Sequence, residues 1–338
     1  MRYATIGTSW ITDSFIEGAL IAGDMHLGAV YSRNEETGRE FSDKYGRVPV
    51  YTDLLKLAEC PLIDAVYIAS PNAYHHEQSK LFLLHGKHVI CEKPATVTSA
   101  QLGELITLAK QKGLVYMEAI MMRYLPARRL LHKAVEQIGN ITTARFDFSQ
   151  LSSKYSAFSA GELPNIFNPA MATGCLMDLG IYCVYAAIDL FGRPESITAR
   201  SGFLQSGADG YGCAIFDYPD KQVTLTYSKI GQSIRGSEIM GTKGTITIDS
   251  ISKLTGIALV QNVDNIQESK LLVGDVSKSE LMSAEAAAFC RFANNPCGFS
   301  DEIDQAGEIA LAVCETMEYM RRLCGISFAA DTDSTTLG

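Results

Sequence analysis

The chain has 338 residues, 47% of them apolar and 20% charged, which suits a protein with a sizeable core and leaves room for two domains. Its 38 acidic residues against 29 basic ones leave a net charge of -9, with no basic stripe, which argues against a nucleic-acid partner. The nine cysteines are scattered, odd in number and never spaced C-x-x-C, and the opening residues enter a strand pattern without a leader-like apolar region. Reduced thiols in a cytoplasmic protein are therefore expected, with no apolar run approaching the roughly 18 residues of a membrane span.

The first third of the chain alternates between two textures. Apolar, β-branched runs at 3–7, 26–32, 48–51, 64–70, 88–92 and 114–119 read as strands, and helix-like stretches at 11–22, 34–45, 52–59, 73–85 and 98–112 lie between them. Such alternation predicts a parallel sheet covered by helices on both faces. After about residue 121 the texture changes. A helix-like block occupies 174–191, where Leu176, Leu179, Cys183, Ala186 and Leu190 make an apolar stripe. The strand-like runs SITARSGFL, GCAIFDY, QVTLTYSKI, SEIMG, GTITID and GIALVQN follow. Turn signals DYPD (217–220) and GTKG (241–244) predict hairpins in a largely antiparallel sheet. Helical patterns resume near 279–293 and at 301–323. The expected fold class is α/β: a Rossmann doubly wound parallel sheet over 1–121, then an α+β domain with a large, mainly antiparallel open sheet over 122–330. A polar tail, 331–338, is expected to fray.

Five stretches carry residue types that do chemistry. IGTSWIT (6–12) follows the first strand, where a dinucleotide fingerprint places glycines for the turn, for close approach to pyrophosphate and for helix packing. Only Gly7 is glycine here, with Ser9 and Thr12 at the other two places. The turn still opens a helix whose amides can hold phosphate, although Asp13 puts a negative charge into the same turn. At the end of the second strand, VYSRN offers Ser32 and Arg33 where an acidic residue usually holds a ribose lacking a 2′-phosphate. A cation beside a hydroxyl suits the 2′-phosphate itself; a solvated arginine opening a helix is the alternative. SPNAYHH (70–76) ends the fourth strand, and its turn faces the same crevice. Its adjacent histidines point in different directions, so no metal site is expected.

HVICEKPAT (88–96) runs an apolar strand into Glu92, Lys93 and Pro94. Charges are rarely buried unless paired, and ligands of α/β sheets sit at strand ends. Partial burial would lower the Lys93 pKa and suit it to proton transfer. In GCLMDLGIYCVYAAIDLFG (174–192), Asp178 and Tyr182 stand four apart and so share a helix face. Gly180 lies between them at a cost of about 1 kcal/mol against alanine, a mark of close approach by backbone or ligand. An ordinary amphipathic helix is the alternative. All six histidines lie at or before residue 132, so a second-domain acid or base must be a carboxylate, tyrosine or lysine.

Together these motifs resemble one family, the oxidoreductases typified by glucose–fructose oxidoreductase, inositol 2-dehydrogenase and the MocA protein. GTSWIT is similar to its dinucleotide turn, SPNAYH to its T-P-N-x-x-H segment, CEKP to its E-K-P signature and GCLMDLGIY to its G-G-x-L-x-D-x-G-x-H/Y helix. EIMGTKGTITID resembles its E-x-x-G-x-x-G strand turn. The resemblance implies Lys93 as catalytic lysine, Asp178 as site carboxylate and Tyr182 as acid/base. It implies cofactor contacts from Gly7, Ser9, Trp10, Ile11, Ser32, Arg33, Ser70, Pro71, Asn72, His75, Glu92 and Lys93. Substrate contacts are expected from Lys93, Arg123, Asp178 and Tyr182. Tyrosine at 182 is similar to the dihydrodiol dehydrogenase-like branch, which favours NADP. Departures are Ser9 in the turn and Ala172-Thr173 ahead of Gly174, where a second glycine is usual.

The expected activity is hydride transfer between a nicotinamide cofactor, NADP(H) favoured and NAD(H) possible, and a secondary alcohol or carbonyl of a sugar, polyol or cyclic diol. Tyr182 would exchange the hydroxyl proton, Lys93 would hold the substrate oxygen and depress the tyrosine pKa, and Asp178 would orient the lysine or a second hydroxyl. A cofactor-dependent glycosidase of the same fold and a non-catalytic NADP-binding regulator are the alternatives. The resemblance also implies a homodimer or homotetramer formed through the sheet of the second domain.

Overall fold

The structure is a computed structural model that describes residues 1–263 and 266–333. In chain order its elements are β1 (Arg2–Ile6), α1 (Trp10–Ala22), β2 (His26–Tyr31), α2 (Glu35–Asp43), β3 (Val50–Tyr51), α3 (Leu54–Ala58), β4 (Ala65–Ile68), α4 (His75–Leu84), β5 (His88–Glu92), α5 (Ser99–Lys112), β6 (Tyr116–Ala119), α6 (Pro126–Gln137), β7 (Ile141–Ser149) and α7 (Tyr155–Ser159). They continue with α8 (Ile181–Phe191), β8 (Ser196–Phe203), β9 (Asp209–Asp217), β10 (Gln222–Ser228), β11 (Ser237–Gly241), β12 (Gly244–Ile248), β13 (Ile257–Val263), β14 (Ile266–Val273), α9 (Lys278–Asn294), α10 (Ser300–Cys324) and α11 (Ala330–Asp333). The chain forms two compact units, one of residues 1–124 with 277–311, the other of 125–276 with the chain from 312 onward.

The first unit holds a six-stranded sheet in the order β3-β2-β1-β4-β5-β6, every pair parallel. Strand order reverses between β1 and β4, and ligands of open α/β sheets bind in the crevice at such a switch point. Strands buried on both faces read as continuous apolar runs, as Ala65–Ile68 does with all four residues buried. Helix α1 seals against the sheet through Phe15, whose ring stacks on Tyr67 at 3.8 Å and meets Tyr3 edge-on. Its other side carries α9, which returns from far along the chain. Gly18 makes that approach possible: a Cβ there would lie 2.6 Å from Met282 Cβ and 2.7 Å from the Met282 carbonyl carbon.

The second unit is built on an eight-stranded sheet, β14-β13-β12-β11-β7-β10-β9-β8. All its neighbours are antiparallel except β7 and β10 at its middle. DYPD and GTKG do close hairpins, β9–β10 and β11–β12. β7, β14 and α6 are absent from the strand and helix patterns read in the sequence. β7 hides because only Ala144 and Phe146 of its nine residues are buried. One sheet face packs inward through Val223, Leu225 and Tyr227; on β9 the alternate residues Tyr211 and Ile215 stay exposed.

Two expectations need correction. The segment Pro169–Phe191 is long and apolar enough by length and composition to cross a membrane, contrary to the absence of any such run, but 67% of its apolar window is buried inside the protein. It is a core segment. The apolar stripe of 174–191 holds only in part: Leu176, Cys183 and Ala186 are buried, whereas Leu179 and Leu190 are half-buried. Leu176–Gly180 forms a π-helical turn, in which one extra residue per turn rotates the face presented beyond it. Burial extends around the helix to Met177, Gly180, Ile181, Val184, Tyr185, Ala187 and Ile188. In the tail, 334–338 lie outside the described residues; Asp331 accepts two hydrogen bonds from buried Arg321.

Candidate active site

The turn after β1 is shaped by close packing at the switch point. Gly7 has φ +112°, and a Cβ there would lie 2.7 Å from the carbonyl oxygen of Ala69, at the end of neighbouring β4. Only glycine fits both demands. Ser9 caps α1 with an extended backbone and no side-chain bond to the helix, and its carbonyl accepts from the amides of Thr12 and Asp13. The amides of Trp10 and Ile11 precede the first intrahelical bond and point out of the helix start, the geometry that holds phosphate. Asp13 does not spoil it. Its carboxylate accepts from Lys44 Nζ at 3.2 Å and from the Tyr45 hydroxyl at 2.5 Å, both supplied by the neighbouring helix end. These residues therefore fit a dinucleotide pyrophosphate. Trp10 is exposed, with Lys278 Nζ 5.0 Å from its ring centre.

At the end of β2, Ser32 is buried and its hydroxyl accepts from the Asn34 amide, while Arg33 is exposed. Asn34 caps α2 by accepting from Thr37 N–H. Beyond β4, the turn through Ser70, Pro71 and Asn72 is held by Ser70 Oγ, which donates to Gln78. His75 is fully buried, its Nε2 2.8 Å from the Ser70 carbonyl and its Nδ1 2.9 Å from that of Pro94. Burial drives the His75 pKa down, opposed by the two carbonyls, and the buried ring bridges the SPN turn and the E-K-P turn.

The E-K-P end of β5 rests on a buried polar cluster. Tyr67 donates to Glu92 Oε1 at 2.6 Å, and the Lys93 amide donates to Glu92 Oε2. The Lys93–Pro94 bond is cis. Glu118 on β6 accepts from the Ala95 amide at 2.8 Å, and Tyr116 donates to the Ala95 carbonyl, so the turn is fastened on its far side too. Desolvation raises the Glu92 pKa while Lys93 opposes it. Behind it Glu285 of α9 is 1% exposed, with Oε1 lacking any hydrogen-bond partner. Burial first, then repulsion from Glu92, pushes its carboxyl well above the usual range. Cys91 is buried and its thiol is pushed up by burial, which makes it inert. Arg123, after β6, donates to Gln305.

In the second unit Asp178 sits on the π-helical turn and Tyr182 in the first turn of α8. The Tyr182 ring meets Phe148 of β7 edge-on at 5.4 Å. Gly180 leaves room for a ring: a Cβ there would lie 3.2 Å from Tyr227 of β10. Asp178 pairs with Lys229 at 2.9 Å. Lys229 went unnoticed in the sequence; its one signal is a lysine directly after a strand whose alternate residues are buried. Asp209, the first residue of β9, accepts from the Leu176 amide at 2.7 Å. Gly174 backs onto it so closely that a Cβ would lie 1.8 Å from Asp209 Oδ1, which explains the single glycine of ATG.

Comparison with known proteins identifies the family and agrees with the fold. Residues 1–120 match the oxidoreductase family with NAD-binding Rossmann fold, and residues 127–247 match the GFO/IDH/MocA C-terminal domain. The chain is 38% identical over 331 residues to scyllo-inositol 2-dehydrogenase (NADP(+)) IolU of Bacillus subtilis, covering 98% of this chain and 99% of that one. It is 28% identical to human trans-1,2-dihydrobenzene-1,2-diol dehydrogenase, covering 73% of this chain and 74% of that one. A 3-ketoreductase from Actinomadura kijaniata, solved with NADP and TDP-benzene, has the same fold, with TM-score 0.82 at 19% identity over 96% of this chain and 98% of that one. The chain belongs to the GFO/IDH/MocA family of NAD(P)-dependent oxidoreductases.

Proposed function

We propose that the protein is an NADP-preferring dehydrogenase or reductase acting on a secondary alcohol or carbonyl of a ring polyol, sugar or cyclic diol. The observation that carries the reading is Lys93 at the carboxyl end of a parallel strand, fastened by Glu92, Glu118 and His75, in a sheet whose Gly7 turn is cut to accept a dinucleotide. Relatives named for scyllo-inositol and dihydrodiol oxidation support the substrate class. Gly7, Ser9, Trp10 and Ile11 hold the pyrophosphate, Ser32 and Arg33 the 2′-phosphate, and Ser70, Pro71, Asn72 and His75 shape the crevice wall. The bound nicotinamide supplies or accepts a hydride at C4. Lys93 holds the substrate oxygen, Tyr182 exchanges the hydroxyl proton, and Asp178, with Arg123, binds a neighbouring hydroxyl. A free tyrosine has a pKa of about 10 and needs a nearby cation to serve as a base, the part assigned to Lys93.

The exposed Tyr211 and Ile215 on one sheet face support assembly as a homodimer or homotetramer through that face, and the nine free thiols suit a cytoplasmic setting. The test is NADP reduction followed at 340 nm (a standard absorbance of the reduced cofactor) over a panel of inositols, sugars and trans-cyclic diols, with NAD in parallel. Turnover with a ring polyol or diol is expected. Failure across the panel, together with hydrolysis of glycosides by protein that retains its cofactor, would replace the reading with a glycosidase.

A further inference from the structure

We propose that Lys229 is a positioning residue of the hydride-transfer site, a buried cation that ties the Asp178 carboxylate to the loop ahead of it; this rests on the reading of Asp178 as a substrate-binding group. Lys229 follows β10 directly, and its backbone is held on both sides: its amide donates to the Gly210 carbonyl at 2.8 Å, and its carbonyl accepts from Ser152 at 2.9 Å. Its side chain is 2% exposed, whereas that of Asp178 is 33% exposed. Nζ donates to Asp178 Oδ2 at 2.9 Å and to the Ile166 carbonyl at 3.0 Å, and lies 5.5 Å from the centre of the Phe167 ring.

A buried ammonium is expensive, and a pair of this kind is often no more stabilising than apolar residues of the same volume. Packing alone would be served by methionine. What the pair does supply is direction. The lysine is the member fixed by the fold, and the carboxylate is the member that reaches the surface. Ile166 belongs to the segment whose carbonyls at Asn165 and Asn168 share the single proton of the Thr173 hydroxyl, at 2.8 and 3.0 Å, which fastens that segment. Through Nζ, that segment and the Asp178 carboxylate are set together. The strand next door adds a second anchor. Asp209 holds the Leu176 amide through Oδ2 and its Oδ1 has no hydrogen-bond partner; burial raises its pKa, opposed first by the Leu176 amide and then by Lys229. Two adjacent strand ends, one carrying Lys229 and one Asp209, thus fix the side chain and the backbone of the same helical turn.

The experiment is a double-mutant cycle of Lys229→Met and Asp178→Asn, with scyllo-inositol as probe. Three quantities are read: kcat and KM for NADP reduction, the affinity of scyllo-inositol for the NADPH-bound protein (a dead-end complex that needs no turnover), and NADPH affinity by fluorescence. A charge-assisted hydrogen bond corresponds to a roughly tenfold to hundredfold effect. Lys229→Met is expected to lower kcat/KM and polyol affinity by that factor, with NADPH affinity unchanged. In the Asp178→Asn background the same substitution is expected to cost less than about threefold, because the partner it acts through is gone. Losses that multiply in the double variant, beside a crippled Asp178→Asn, overturn the role of Lys229 and leave that of Asp178 standing. Asp178→Asn at parent activity, or a parent that neither binds nor oxidises scyllo-inositol or any other panel polyol, overturns both. Should Lys229→Met not fold, Lys229→Gln keeps a donor without the charge and carries the same cycle.

Discussion

Asp189→Asn removes the charge that binds α6 to α8, the helix whose first turn carries Tyr182. Arg128 grips this carboxylate with two hydrogen bonds, Nε at 2.7 Å and Nη2 at 2.6 Å, and His132 Nε2 lies 3.0 Å away. Burial alone would raise the Asp189 pKa, but hydrogen bonds from His132 and Arg128 outweigh it and hold the group at about 2, against an ordinary 3.8. At about 1.36 kcal/mol per pH unit, that depression is worth about 2.5 kcal/mol of stability. The native state binds the proton less readily than the unfolded chain does. The contribution is therefore present above the ordinary pKa and is lost as pH falls toward the native one, with about half remaining at pH 3. Urea unfolding followed by far-ultraviolet circular dichroism measures it; the fluorescence of Trp10 does not serve, because that residue sits in the other unit. The variant is expected to be less stable than the parent by about 2.5 kcal/mol at pH 7, and the gap to narrow by about 1 kcal/mol between pH 5 and pH 3. A gap that stays constant over that range would refute the reasoning.

Arg33→Ala should erase most of a tenfold to hundredfold preference for NADPH over NADH, the range of roughly one charge-assisted contact; equal dissociation constants in the parent would sink the assignment. Lys93→Met keeps length and packing, and turnover should fall by about 10²-fold or more while NADPH binds within severalfold. Tyr182→Phe should slow oxidation by about 10²- to 10⁴-fold with little change in melting temperature, and Tyr182→His should retain more activity than Phe. A phenylalanine variant matching the parent across the pH–rate profile would move the acid/base role elsewhere.

The parallel sheet was legible because its strands are buried on both faces and punctuated by Gly7, Ser70-Pro71-Asn72 and Glu92-Lys93-Pro94 at one edge. The site motifs were legible for the same reason: each breaks an apolar run. What escaped notice lacked such contrast. β7 spreads Thr142, Thr143, Arg145 and Asp147 among two buried residues, so its alternation is weak. The π-helical turn that carries Asp178 was not read because it depends on partners such as Asp209, which no local pattern announces. Lys229 and Glu285 look like ordinary polar residues next to apolar ones; their burial is decided by distant strands and helices. An amphipathic pattern at 279–293 says that α9 covers something, and Gly18 says only that a neighbour comes close. Neither names the other.

That meeting of α1 with α9 has a consequence for how the protein is made. During synthesis the six-stranded sheet and α1 leave the ribosome complete, yet the groove at Gly18 stays uncovered until all of β7–β14 has been translated and α9 follows. The nucleotide-binding unit is thus the first to begin and among the last to finish, and the second unit must fold as an insertion within it. A fragment cut after residue 124 would leave the groove bare and Glu92 without the helix that backs it. A splice joining 1–124 to 277–311 through a short linker keeps all six strands of the parallel sheet, α1 and α9 in one body.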